Sequence, residues 1–196
     1  MRRIALEVTT IRGLLLGCLM ERPMSGYDIM KYANEHLAHC YVVPARSQIY
    51  GELHRLEKEG YITTERTTQS NRPEKNICTI TAIGNKTFLT WISQPMKPNT
   101  FKSPSLLQMY FSHKGSMMIL KKLLKEHMQE TATKMAFLAN RYDNFVVDTQ
   151  AHLMEGLTLR YACMQAEAEY NWLKEAIDTI PVMEQSQKKQ KMTVLA

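Results

Sequence analysis

The sequence predicts a mainly helical protein in which a compact N-terminal part with a β-hairpin precedes a C-terminal part made of long helices. Three observations predict this fold class. Apolar residues recur at helical spacing in three short segments before residue 60. β-Forming residues then dominate two stretches between residues 61 and 81. After a proline-containing segment near residue 95, apolar residues again recur every three or four positions, now over much longer distances.

The first three helices are each delimited by a recognisable residue. Pro23 ends the first helix, whose apolar stripe is Ile11, Leu14, Leu15, Cys18 and Leu19. Ser25 and Asp28 have the spacing of a capping box and begin the second helix. The third helix starts near Arg46 and stops at Gly60, a residue type favoured just after a helix. Its buried face is predicted to carry Ile49, Leu53 and Leu56.

A hairpin and a fourth helix follow. The strands are predicted at residues 61–67 and 76–81, separated by a polar turn that contains Pro73. A helix of residues 82–93 precedes the linker. Three helices followed by a hairpin in about 70 residues is the order of a winged helix-turn-helix, in which the third helix enters the DNA major groove and the hairpin forms a wing.

The C-terminal part is predicted to dimerise. One helix of about 30 residues is too long to bury its apolar stripe within a domain of this size, so pairing with a second copy is favoured. That stripe comprises Met154, Leu157, Tyr161, Met164, Ala168 and Trp172. We predict a winged helix-turn-helix at residues 1–94, a linker at 95–103, a helical dimerisation domain at 104–182 and a disordered tail at 183–196.

The predicted third helix presents a hydrogen-bonding surface opposite its buried face. Gly51 lies at the centre of that surface, where the missing side chain lets the backbone approach a groove floor. The helix is nearly neutral because three glutamates offset its cations, so phosphate contacts are expected from other elements. The predicted DNA-binding residues are Ser25, Tyr27, Lys31, Arg46, Ser47, Gln48, Tyr50, Gly51, His54, Arg55, Arg66, Arg72 and Lys75.

These stretches resemble the PadR-type transcriptional regulators. The resemblance rests on Leu15-Leu16-Gly17, on Ser25-Gly26-Tyr27-Asp28-Ile29, on the run from Gln48 to Ile62, and on Arg72-Pro73-Glu74-Lys75. From Trp91 onward, and at Gly156-Leu157-Thr158-Leu159-Arg160, the chain is similar to the AphA-type subclass with a virulence activator alpha C-terminal domain. The resemblance implies a homodimer that reads a two-fold-related DNA site through the third helix and the hairpin tip.

Two alternative functions stay open at this point. The chain is rich in methionine, with 14 residues. Six of them, together with Tyr110, Phe111, Tyr161 and Trp172, could line an adaptable pocket for a small aromatic effector, or could form a soft dimer core. These six are Met109, Met117, Met128, Met135, Met154 and Met164. The nearly neutral third helix is also compatible with a dimeric protein-interaction module that does not bind DNA.

Other chemistry has little support in the sequence. We expect no enzyme, because no phosphate loop or nucleophile arrangement is recognisable, and no cofactor. His36, His39 and Cys40 have a metal-ligand spacing but lack an evident fourth ligand, so no metal site is expected. A functional role for the Cys163 thiol is a minor alternative. The net charge of +6 fits double-stranded DNA as a partner, and scattered cysteines without an apolar span favour a cytoplasmic protein with no membrane partner.

Overall fold

The structure is a computed structural model that describes residues 8–67, 75–96 and 103–194. For residue 67 and residues 181–194 it describes the backbone alone. The chain divides into two compact units, residues 1–98 and 99–196. This division falls inside the segment predicted to be a linker.

The first two helices are capped by side chains. Helix α1 spans Thr10–Glu21, and the Thr9 hydroxyl accepts a hydrogen bond from the backbone N–H of Arg12. Helix α2 spans Gly26–His36. The predicted capping box is confirmed: the Ser25 hydroxyl accepts from the Asp28 N–H at 3.2 Å, and the Asp28 carboxylate accepts from the Ser25 N–H at 3.3 Å.

Helix α3 spans Arg46–Lys58 and ends as predicted. Gly60 adopts a positive φ of 79°, a left-handed conformation that glycine reaches without steric cost. The Tyr61 N–H donates to the Leu56 carbonyl at 2.9 Å, and the Gly60 N–H donates to the Glu57 carbonyl at 3.0 Å. These two hydrogen bonds form a Schellman motif, which turns the chain directly into the sheet.

The sheet has three antiparallel strands in the order β1-β3-β2. Strand β2 spans Ile62–Thr67 and strand β3 spans Lys75–Ile80, with Thr64 opposite Cys78. This confirms the two predicted strands of the hairpin, whereas its turn lies outside the described residues. A short strand β1, Met24–Ser25, pairs with the other edge of β3 and was not predicted. Helix α4 then spans Ala82–Ile92.

The core of the N-terminal unit joins α1, α2, α3 and the sheet. The predicted inward faces of α1 and α3 are buried apart from Ile11, which is partly buried, and Leu16 on α1 joins them at 0% exposure. The fully buried side chains of this core include Leu15, Leu16, Met24, Ile29, Ile49, Leu56 and Ile62. Each helix thereby buries one face, and α3 is left with its opposite face in solvent.

The C-terminal unit contains helices and their connections, and no strand, in its described residues. Helix α5 spans Pro104–Phe111, a single 3₁₀ turn covers Ser112–Lys114, and α6 spans Met117–Asp143. Gly115 and Ser116 separate this turn from α6. Helix α7 spans Gln150–Val194 and packs against α6 through two apolar clusters. The first cluster includes Leu120, Leu124 and Leu173, and the second includes Leu138, Leu159 and Ala162.

Helix α7 is longer than the sequence suggested. It contains 45 residues, and its backbone continues to Val194, whereas the sequence predicted disorder from residue 183. The difference has a physical reason, because this segment is rich in Glu, Gln, Lys and Met, all strong helix formers that can extend a helix already begun. Among the described helices, none combines the length and the apolar character needed to cross a membrane.

Candidate nucleic-acid interface

The exposed face of α3 has the composition that the sequence predicted. The core takes Ile49, Leu53 and Leu56 from one side of the helix. The opposite side is exposed and carries Arg46, Ser47, Gln48, Tyr50, Gly51, His54, Arg55 and Lys58. Most of these side chains donate or accept hydrogen bonds, so this surface, the reading face, has the chemistry needed to contact base edges.

Gly51 leaves an open site at the centre of the reading face. A Cβ atom built on Gly51 would meet no heavy atom within 4 Å. Packing inside the chain therefore does not require glycine here, although glycine weakens a helix by about 1 kcal/mol relative to alanine. Gly51 lowers the stability of the helix and is not needed for packing within the chain. Its presence is explained if this surface must approach another molecule closely.

Tyr50 connects the reading face to the start of α2. A Cβ atom on Gly26 would lie 2.9 Å from the Tyr50 ring, so a side chain there would push the ring away from its present place against the start of α2. The guanidinium of Arg46 lies 5.3 Å from the centroid of the same ring, a cation–π arrangement. The Tyr50 ring is 40% exposed. Tyr50 thus contacts Gly26 and Arg46 and remains partly accessible to solvent.

The start of α2 contributes exposed groups around a buried cap. Tyr27 is exposed, and so is Lys31, which lies 3.9 Å from the Glu35 carboxylate. Ser25, also predicted to bind DNA, is buried, and its hydroxyl donates to the Asp28 carboxylate at 2.6 Å. Its side chain is therefore committed to the capping box. The backbone N–H groups of the first turn remain the part of this helix end that suits a phosphate.

The wing is tied to the start of α2 by an ion pair. The Lys75 ammonium lies 3.6 Å from the Asp28 carboxylate, and Arg66 is exposed on the neighbouring strand opposite Asn76. Lys75, Asp28 and the Gly26–Tyr50 contact thus link wing, α2 and α3 into one continuous surface. The predicted tip residue Arg72 lies outside the described residues.

Sequence reasoning missed an ion-pair network behind the reading face. The Arg12 guanidinium on α1 donates to the Glu59 carboxylate through two nitrogens, at 2.7 and 2.9 Å, and to Glu52 at 2.5 Å. The other Glu52 oxygen accepts from Arg55 at 3.1 Å. We call these four residues the Arg12 network. The partners are 40 and 47 positions from Arg12 in the chain, so no local spacing indicated them.

The network shifts the ionisation of its members. Hydrogen bonding from Arg12 lowers the pKa of Glu59, and the Glu59 carboxylate in turn raises the pKa of Arg12 above its ordinary value. At the start of α2, the hydrogen bond from Ser25 lowers the pKa of Asp28, with a further contribution from Lys75 of the wing. These carboxylates are therefore ionised and paired at neutral pH.

The long helix α7 exposes an apolar stripe on the side turned away from α6. Leu159, Ala162, Ala166 and Leu173 are buried against the rest of the unit. By contrast, the predicted dimerisation residues Met154, Leu157, Tyr161 and Met164 are 49–58% exposed, and Ala168 is exposed as well. Trp172, which closes the predicted set, is only partly exposed and packs on the α6–α7 cluster.

The methionines do not converge on a single pocket within one chain. Met109, Met117 and Trp172 border a hollow of about 250 Å³ in the C-terminal unit. Met128 and Met135 pack into the two helix-helix clusters. The others of the predicted set, Met154, Met164, Tyr110, Phe111 and Tyr161, have exposed side chains.

The cysteine and histidine candidates have ordinary surroundings. Burial raises the pKa of the Cys18 thiol to about 11, and Cys163 packs beside the second α6–α7 cluster. The His36 ring lies 4.5 Å from the ring of Tyr32, centroid to centroid, and the Cys40 thiol contacts the Leu37 carbonyl. Over the described residues, no group of three or more His, Cys, Asp or Glu side chains is arranged to hold a metal ion.

Two family models match the chain, one for each unit. Residues 15–89 match the Transcriptional regulator PadR-like family. Residues 101–180 match Virulence activator alpha C-term. The first match covers the helices and strands that build the reading face and the wing. The second covers α5, α6 and most of α7, in agreement with the AphA-type resemblance.

Individual relatives have the same arrangement. The chain is 33% identical to the negative transcriptional regulator PadR of Bacillus subtilis over 138 residues, which are 69% of this chain and 75% of that protein. A crystal structure of Bacillus subtilis PadR in complex with operator DNA superposes with a TM-score of 0.79 at 27% identity, covering 88% of this chain and 99% of that one. Its structure with p-coumaric acid has a TM-score of 0.72 at 24% identity and the same coverage, which shows the shared fold. By sequence and by fold, the chain belongs to the PadR-like family of transcriptional regulators.

Proposed function

We propose that this protein is a cytoplasmic, non-enzymatic regulator that binds a two-fold-related operator as a homodimer. The reading face of α3 contacts base edges in the major groove, and the wing and the start of α2 contact phosphates. The residues assigned to these contacts are Tyr27, Lys31, Arg46, Ser47, Gln48, Tyr50, Gly51, His54, Arg55, Arg66, Arg72 and Lys75, with Ser25 acting only through its capped helix end.

One observation carries the proposal. Around Gly51, the chain keeps a continuous exposed surface of hydrogen-bonding side chains on the helix that a winged helix-turn-helix inserts into DNA. The operator complex of Bacillus subtilis PadR supports the same use of this fold, since that relative was crystallised on DNA. A protein-interaction module would not require an open glycine beside such groups.

Substitutions at Gly51 test the groove contact. Gly51→Ala should raise stability by about 1 kcal/mol, because the added methyl meets nothing in the chain and alanine favours the helix. Gly51→Glu should keep the fold yet abolish binding, since its carboxylate would meet the phosphates and the groove floor. Binding is measured by fluorescence anisotropy on a duplex selected from random DNA by the wild-type protein, and stability by thermal melting.

A matched control places the same charge elsewhere in the unit. Thr90→Glu adds a carboxylate on the exposed side of α4 and should leave the affinity for the duplex within about twofold of wild type, because screening weakens distant charges. Wild-type affinity in a folded Gly51→Glu variant would show that the reading face does not enter the groove.

The apolar stripe of α7 supports the homodimer. Met154, Leu157 and Met164 are each at least half exposed although they lie on a helix whose other side is well packed. Such a stripe along one face of a long helix is typical of a helix that pairs with another copy. A two-fold dimer would also present two reading faces to the two halves of an operator.

A second proposal concerns an effector. We infer that the hollow beside Met109, Met117 and Trp172 binds a small aromatic compound, because methionine and tryptophan side chains adapt to flat apolar ligands. Its volume of about 250 Å³ suits a single-ring compound, and the relative crystallised with p-coumaric acid is consistent with such a ligand.

The effector proposal is tested with p-coumaric acid as the probe. Saturating p-coumaric acid should quench Trp172 emission, monitored with Trp91 replaced by Phe, and should weaken operator binding. Met109→Ala, which removes a side chain bordering the hollow, should weaken the quenching, whereas Met118→Leu, at an exposed methionine outside the hollow, should not change it. Unchanged emission and unchanged operator affinity at saturating compound would contradict a phenolic effector at this position.

A further inference from the structure

Arg12 contacts helix α3 and its C-cap through two carboxylates that lie outside the reading face. It belongs to α1, its side chain is only 11% exposed, and its guanidinium bonds to two carboxylates of α3. Glu52 is 8% exposed and Glu59 is 36% exposed. Arg12 therefore has no direct access to the surface of the reading face, and its contacts run to the charges behind that surface.

The contacts of Arg12 matter for DNA binding because α3 carries several carboxylates. The helix with its capping residue carries three cations and three anions, namely Arg46, Arg55, Lys58, Glu52, Glu57 and Glu59. Unpaired carboxylates on the helix nearest the duplex would repel phosphates. Glu59, moreover, lies at the C-terminal end of the helix, where the helix dipole disfavours a negative charge. Arg12 supplies the fourth cation that offsets two of the three anions.

Glu52 connects Arg12 to Arg55, a residue of the reading face. One of its oxygens accepts from Arg12 at 2.5 Å and the other accepts from Arg55 at 3.1 Å. The Arg55 side chain is 70% exposed, so without this bond it would keep much of its conformational freedom. Fixing a long cationic side chain before binding reduces the entropy lost when it contacts DNA.

We propose that Arg12 is a positioning residue for DNA recognition: without touching DNA it neutralises Glu52 and Glu59 and, through Glu52, orients Arg55. This inference rests on the proposed function of the reading face. It assigns to α1 a role in binding strength that is distinct from its role in the core.

The test measures the affinity of four proteins for the duplex selected by the wild-type chain, at 50, 100 and 200 mM salt. Arg12→Gln should weaken binding by about tenfold at 50 mM salt, and the deficit should shrink as salt screens the exposed carboxylate. Arg12→Gln with Glu59→Gln should recover most of the affinity, because the uncompensated charge is gone. Arg12→Lys, which keeps the charge without the two-nitrogen fork, should bind with intermediate strength.

A purely structural role predicts a different pattern. Affinity would then follow the melting temperature across the variants, would show the same deficit at all salt concentrations, and would not be rescued by Glu59→Gln, which restores no ion pair. Any of these results with a folded Arg12→Gln protein would overturn the inference, as would unchanged affinity in that variant.

A single substitution still tests the inference if the Arg12→Gln protein does not fold. Glu59→Gln alone keeps Arg12 and removes an anion, so it should bind two- to threefold more tightly than wild type at 50 mM salt, and equal or weaker binding would overturn the inference. The wild-type titration separates the proposed function from the role of Arg12. If unrelated competitor DNA displaced the wild-type protein from the selected duplex, the proposed function itself would be refuted.

Discussion

At the scale of single residues, the site depends on pairs whose members lie far apart in sequence. Ser25 shows how a structural role limits what one side chain can contact. Its spacing to Asp28 predicted the cap, and the same cap buries its hydroxyl, so that any phosphate contact at this helix end is left to the backbone N–H groups. Arg12 was not identified at all, because a cation next to an apolar stripe gives no indication of the carboxylates that it binds on α3 and its C-cap.

The Asp28 carboxylate makes stability depend on pH. Its pKa is lowered in the folded protein by the hydrogen bond from Ser25, so its contribution is present above the ordinary aspartate range and is lost as pH falls through the folded pKa. Asp28→Asn should cost on the order of 0.5 kcal/mol at pH 7. The difference from wild type should narrow as pH falls below about 4, as measured by urea unfolding at several pH values.

Glu35→Gln is the matched control for that experiment. Glu35 is more than half exposed and lies 3.9 Å from Lys31, also exposed, so its removal should change stability by no more than a few tenths of a kcal/mol at any pH. A constant difference between wild type and Asp28→Asn from pH 7 to pH 3 would show that the carboxylate charge does not stabilise the start of α2.

At the scale of elements, periodicity and terminal residues carried most of the predictive information. The left-handed Gly60 ends α3 where the sequence placed its end, because few other residues adopt that conformation. Strand β1 could not be predicted, since two residues show no alternation and form a strand only by pairing with β3. The backbone of α7 beyond residue 183 was not predicted either, because its helix-forming residues carry no apolar stripe of their own and form a helix as the continuation of one already begun.

The candidate site was predictable to the extent that it lies on one helix. The apolar spacing of Ile49, Leu53 and Leu56 predicted the buried side of α3, and these residues are buried. The reading face is the opposite side of the same helix. The link between wing, α2 and α3 depends instead on tertiary contacts, such as Lys75 with Asp28 and the Tyr50 ring on Gly26. No sequence spacing encodes contacts of that kind.

At the scale of the whole molecule, the chain consists of two units with different surfaces. The N-terminal unit has an exposed polar helix face and a basic wing strand, whereas the C-terminal unit has an exposed apolar stripe on its longest helix. The first surface suits DNA and the second suits another copy of the chain. Together they account for a regulator that binds DNA as a dimer.

The most direct test titrates the wild-type protein against the selected duplex in the presence of excess unrelated DNA, while light scattering gives the number of chains per duplex. We predict binding that survives the competitor, with two chains per duplex. Leu157→Glu, which places a charge in the apolar stripe of α7, should leave the winged helix folded but yield monomers that bind at least tenfold more weakly, because the two half-sites are no longer engaged together. Binding that the competitor removes, or one chain per duplex with full affinity, would contradict a homodimer that reads a specific operator.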